Sequence, residues 1–178
     1  VRVPNNTEQP DQTRIYRKIS VGGLINFYLL DTRIIARTKQ LSVLEPGFDD
    51  TTRYLLGKVQ MNCLLDDMQT STAKWNIVCQ QVMVAPLTVF GVPVNTDSWD
   101  GYPAERDRLM KGLKDRDIKN AVILTGDFHT SWGSDLPTDN YNVITHTGSA
   151  AVEFVTTSVT SQNFSLPVPD YLIKALNL

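Results

Sequence analysis

AVILTGDFHTSW, running from Ala121 to Trp132, is the stretch on which the reading of this chain turns. Its apolar start, Ala121 to Leu124, predicts a short strand with no polar side chain in it. The run breaks at Gly126 into Asp127, Phe128 and His129. In extended chain, side chains two positions apart point to the same side. In a sheet whose strands end at a ligand crevice, that side faces the crevice. The stretch therefore delivers an oxygen and a nitrogen donor together at a strand end, a common way to hold a divalent or trivalent metal. The alternative is structural: Asp127 caps the turn and His129 hydrogen-bonds nearby.

Outward from this stretch, the chain alternates strand and helix. Upstream, a helix opens at Pro103 and runs to about Asp115, with Glu105 and Asp107 in its first turns, where the helix dipole favours anions. Before it lies the long loop TVFGVPVNTDSWDGYPAER, and long loops carrying aromatics such as Trp99 and Tyr102 are often functional. WNIVCQQVMVAPL predicts a buried strand closed by Pro86, and Leu55 to Ser71 has the apolar spacing of an amphipathic helix. RIYRKIS and LINFYLLDTR read as two strands around a turn at Gly22 and Gly23, while Val1 to Thr13 reads as an irregular arm. Downstream, TSWGSDLPTDN is expected as a loop, followed by strands at NVITHT and AVEFVTTSV. A proline-broken loop and a short final helix close the chain. The order predicts an α/β layer architecture.

Composition narrows the function classes. The 178 residues suffice for one domain, are 42% hydrophobic and 20% charged, and carry a net charge of −2 with no basic stripe. Nucleic-acid binding has no electrostatic support in that balance. No apolar run reaches the ~20 residues of a membrane-spanning helix. The opening VRVPNNTEQPDQTR is polar and carries no export signal. Cys63 and Cys79 form no Cys-x-x-Cys pattern and read as buried free thiols, which leaves the compartment undecided.

Six segments, in order, give the chain a family resemblance: LDTRIIARTKQL, LLGKVQ, STAKWNIVCQQVMVAPL, DSWDGYPAERDRLM, NAVILTGDFHTSWGSDLP and VEFVTTSVTSQNF. Together they resemble the PhoD-like alkaline phosphatases, a branch of the calcineurin-like metallophosphoesterases. The resemblance implies part of a four-layer α/β/β/α sandwich, with residues 1–178 forming an interior to C-terminal portion of the catalytic domain. It implies metal-dependent hydrolysis of phosphate mono- or diesters by a hydroxide held on metal ions, Fe3+ with Ca2+, and an exported enzyme. GDFH stands where calcineurin-like relatives place a Gly-His-x-His, so Asp127 and His129 are implied as metal ligands and catalytic residues. The earlier family motifs, an opening aspartate, a GD-x-x-Y and a further acidic or amide ligand, do not occur here. The implied partner is therefore the N-terminal half of the same domain. The competing expectation is a non-catalytic fragment or binding module without the full ligand set.

Other residues carry two readings each. Trp99 and Tyr102 can wall a substrate pocket with Asp100, or serve loop architecture. Arg106 can hold a phosphoryl oxygen through its planar fork, or pair with Asp100 or Glu105. Arg33 is expected to pair with Asp31, with direct phosphate contact as the alternative. One of Gln80 and Gln81 must face the core or the site, because consecutive strand side chains alternate. His146 falls outside the family pattern, Gly148-Ser149 lacks a nucleophile motif, and Glu153 reads as structural.

Overall fold

Polar residues fall at alternate positions only where one side of a strand needs them, and this separates the faces of the central sheet. The computed structural model describes residues 14–157 and Thr160. Strand β1 (Arg17–Val21) turns at Gly22, which takes a left-handed φ of 55°, into β2 (Ile25–Leu29). Helix α1 (Gly57–Gln69) leads to β3 (Trp75–Gln80), and a short hairpin of β4 (Thr88–Val89) and β5 (Val92–Pro93) follows. A 3₁₀ turn at Trp99–Gly101 precedes α2 (Pro103–Asp115) and β6 (Ala121–Thr125). The edge hairpin of β7 (Trp132–Asn142) and β8 (Thr147–Val155) comes last.

The main sheet runs β1-β2-β3-β6-β8-β7. Strands β2, β3, β6 and β8 are mutually parallel, and β1 and β7 flank them antiparallel. The crossovers through α1 and α2 advance in the same direction across the sheet, which puts both helices on one face. There Leu64, Leu65 and Met68 of α1 and Leu109 and Leu113 of α2 pack with Tyr28, Val78 and Ile123 of the strands. The α/β expectation holds.

Three expectations change. The polar stretch TSWGSDLPTDN is mostly strand β7, and Val143 to His146 of the expected strand NVITHT form the turn instead. An edge strand tolerates polar residues and a proline, and Pro137 sits where the β7–β8 register shifts. The strand expected to run to Pro86 stops at Gln80, and the buried segment after it is irregular. Buried irregular backbone must find hydrogen-bond partners elsewhere, and here two carboxylates provide them. Glu153 accepts from the Val84 and Ala85 N–H groups at 2.9 and 2.7 Å, and Asp100 accepts from Leu87 N–H at 2.8 Å. The arm expected at 1–13 and the final helix lie outside the described residues.

Candidate metal centre

The loop leaving β6 is not extended. Asp127 and His129 take left-handed φ values of 60° and 59°, a region that Asp and His enter more readily than most residues. The same-side argument from extended chain therefore gives way to an alternation of left-handed residues, and the result is similar. Both residues line one cavity of about 260 Å³, with Val94, Asn95 and Phe128. It lies at the carboxyl ends of the parallel strands, the crevice end of such sheets.

Arg33 joins this group. Its guanidinium pairs with the Asp127 carboxylate through one nitrogen and with Asp97 Oδ2 at 2.6 Å through the other. Arg37 binds Asp97 Oδ1 at 2.6 Å and donates to the Thr32 and Asp97 carbonyls. Burial alone would lower the Arg33 pKa, but Asp97 and then Asp127 outweigh it and raise it above the ordinary value. Burial likewise works against Asp97, and the two arginines overcome it and hold its carboxyl below the usual range. The expected ion pair between Asp31 and Arg33 does not form. Asp31 instead accepts the backbone N–H groups of Arg33, Ile34 and Ile35 at 2.9, 2.9 and 3.1 Å, which folds the chain into a tight turn. That turn leaves the Arg33 side chain to reach across to the other loops.

The remaining candidates are gathered behind the cavity. Trp99, Asp100 and Tyr102 are buried, with relative exposures of 0%, 3% and 1%. Tyr102 donates to the Thr38 carbonyl at 2.9 Å, and Asp100 pairs with Arg106. Burial pushes the Asp100 carboxyl up, against the pull of Leu87 N–H and Arg106. Arg106 also lines a separate cavity of about 370 Å³ between α2 and β7, beside Met110 and Leu136. The structure thus brings Arg33 to Asp127, and holds Trp99, Asp100, Tyr102 and Arg106 as a frame.

Beneath the loop lies a buried polar chain that the sequence reading did not assemble. Thr125, the last residue of β6, donates its hydroxyl to Glu153 Oε1 at 2.6 Å and accepts from Gln80 Nε2 at 2.6 Å. Gln80 Oε1 accepts from Trp99 Nε1 at 3.2 Å. Burial, the largest influence, raises the Glu153 pKa, and Thr125, Val84 and Ala85 pull it back. The signal in sequence is a polar residue set among apolar ones towards the end of each of three strands, Gln80 in β3, Thr125 in β6 and Glu153 in β8.

The donor chemistry fits a metal on one side. Asp127 and His129 line one cavity, and the Asp127 carboxylate already holds a cation, the Arg33 guanidinium. Among the described residues no group of three or more His, Cys, Asp or Glu comes together, so a full shell needs further donors.

Comparison with known proteins places the chain in a family. The sequence profile of the PhoD-like phosphatases matches residues 2–171. Alkaline phosphatase D of Bacillus subtilis (strain 168) is 38% identical over 170 residues, spanning 90% of this chain and 28% of that protein. The solved structure of PhoD superposes with a TM-score of 0.76 at 36% identity, covering 90% of this chain and 32% of that one. The chain thus spans under a third of either relative's length.

Proposed function

The chain belongs to the PhoD-like phosphatase family, and from that premise we propose that it builds one side of the active site of a metal-dependent phosphate-ester hydrolase. The observation that carries this reading is the convergence of Asp127 and His129 on one cavity, with the Arg33 guanidinium on Asp127. Asp127 and His129 are the protein ligands, and Fe3+ with Ca2+ are the ions the family resemblance favours. When bound, such ions supply Lewis-acid neutralisation of charge on a phosphoryl group. The chain's own residues do the rest. Arg33, steadied by Asp97, presents a planar donor fork suited to the anionic oxygens of a phosphate mono- or diester. Trp99, Asp100, Tyr102 and Arg106 hold the loops that carry it. By the same resemblance the enzyme is exported, and no helix among the described residues is long and apolar enough to cross a membrane.

The opposite face of the sheet supports the partner reading. Trp75, Leu124 and Phe154 are 40%, 40% and 55% exposed on the side away from the helices. In our proposal the earlier half of the domain covers this face and completes the four-layer sandwich. With two donors among the described residues, the 178-residue chain by itself is expected to turn over phosphodiesters poorly.

The test is His129→Ala in the full-length polypeptide, measuring bound metal and hydrolysis of bis(p-nitrophenyl) phosphate together. Both should fall. Wild-type metal content and rate would remove His129 from the site.

A further inference from the structure

We propose that Gln80 is a positioning residue for this site: its carboxamide ties the loop carrying Asp127 to the loop that holds Arg33. The inference rests on the reading of Asp127 and His129 as metal ligands.

Gln80 and Thr125 are register partners in the parallel pairing of β3 with β6, on the helix-facing side of the sheet. All members of the polar chain are buried: Gln80 is 6% exposed, Thr125 2%, Trp99 0% and Glu153 0%. The direction of each bond is forced. An indole N–H can only donate, so Gln80 turns Oε1 toward Trp99, where Val82 N–H also reaches it at 3.2 Å. The amide nitrogen therefore faces Thr125. Thr125 spends its own proton on Glu153 and keeps a lone pair for Gln80. Both ends of the carboxamide are used, Oε1 as acceptor and Nε2 as donor.

What separates this from ordinary satisfaction of a core glutamine is where the two ends lead. From Thr125 the chain passes through Gly126 to Asp127. From Trp99 it passes back through Ser98 to Asp97, with Ser98 Oγ fixed on the Asn95 carbonyl at 2.8 Å. Asp97 holds Arg33, and Arg33 holds Asp127. The connections close into a ring, and Gln80, bonded to Trp99 at one end and to Thr125 at the other, joins its buried side. Residues that orient metal ligands from behind commonly change metal affinity by about 10–100-fold when removed.

The test compares Gln80→Met, which conserves volume without the hydrogen bonds, with Thr125→Val and Thr125→Ser in the full-length protein. Two measurements are made well below the melting temperature: the dissociation constant for Ca2+, and amide hydrogen exchange over residues 97–99 and 126–129. Gln80→Met and Thr125→Val should weaken Ca2+ binding about tenfold and speed exchange in both loops together, while Thr125→Ser stays within about twofold. Lower thermal stability with unchanged Ca2+ affinity and unchanged exchange would overturn the proposal, leaving Gln80 a core residue. Asp127→Asn separates the two ideas. If it abolishes Ca2+ binding and Gln80→Met does not weaken it, the positioning role falls and the metal reading stands. If Asp127→Asn binds Ca2+ like wild type, the metal reading falls. The coupled exchange then decides the role of Gln80: faster in both loops it supports the tie, unchanged in both it overturns it.

Discussion

Asp97 is the residue on which the charges of the site balance, and it was not singled out from the sequence. It sits between Arg33 and Arg37, with a carboxyl held below its ordinary value once the arginines outweigh burial. A carboxylate depressed on folding stabilises the fold above its unfolded pKa of about 3.9, and that contribution is lost as pH falls through the lower folded value. Acid unfolding should therefore show a component below about pH 4 that Asp97→Asn removes, with the two proteins converging in stability at the acid end. Denaturant melts across that range would check it. Asp97 is one-third exposed on its side chain, so solvent screening keeps the effect modest. At this scale the sequence was partly legible. Asp127 and His129 stood out because two metal-ligating types follow an apolar strand at close spacing. Asp97 did not, and Gln80 stood out only as one of two adjacent glutamines in an apolar run, because each takes its role from residues brought to it by the fold, Arg33 in one case and Trp99 with Thr125 in the other.

The elements themselves followed from periodicity where the pattern was strong. Helix α2 begins at Pro103 and ends at Asp115 as read, and α1 fills the amphipathic span. The edge hairpin was displaced because β7 buries little and so carries little alternation, with Leu136 its one buried residue. Helix α1 also shows why local sequence rules miss caps. Leu56 offers its N-terminus no side-chain hydrogen bond. Glu105, from the first turn of α2, supplies it instead, accepting the N–H groups of Leu55, Leu56 and Gly57, the last two at 2.9 and 3.0 Å. One helix thus caps another. Burial raises the Glu105 pKa and those three N–H groups oppose it. Replacing it leaves three buried donors unpaired at once, each costing about 1–3 kcal/mol. Glu105→Ala should therefore lower stability by about 3 kcal/mol or more, read as a shift in the denaturation midpoint with little change in slope. A loss under about 0.5 kcal/mol would mean that solvent reaches the helix start and replaces the carboxylate.

Across the whole molecule, the asymmetry of the sheet is the dominant fact. One face is sealed by α1 and α2, and the other presents rows of apolar side chains, Cys79 beside Leu124 beside Phe154 in register. Contiguous exposed apolar surface of this kind marks an interaction face. Residues 14–157 produced alone should bind a hydrophobic dye and self-associate, and Leu124→Lys should reduce both. In the full-length polypeptide the same substitution should instead lower the melting temperature. Improved solubility in both contexts would show that the face is open to water in each.

The left-handed backbone at Asp127 and His129 has a consequence for how such a loop persists. Left-handed conformations cost non-glycine residues roughly 1–2 kcal/mol each, and only glycine avoids the cost. Selection for robustness alone would favour glycine at both positions. Keeping a carboxylate and an imidazole there sets durability against chemistry, and this loop retains the donors.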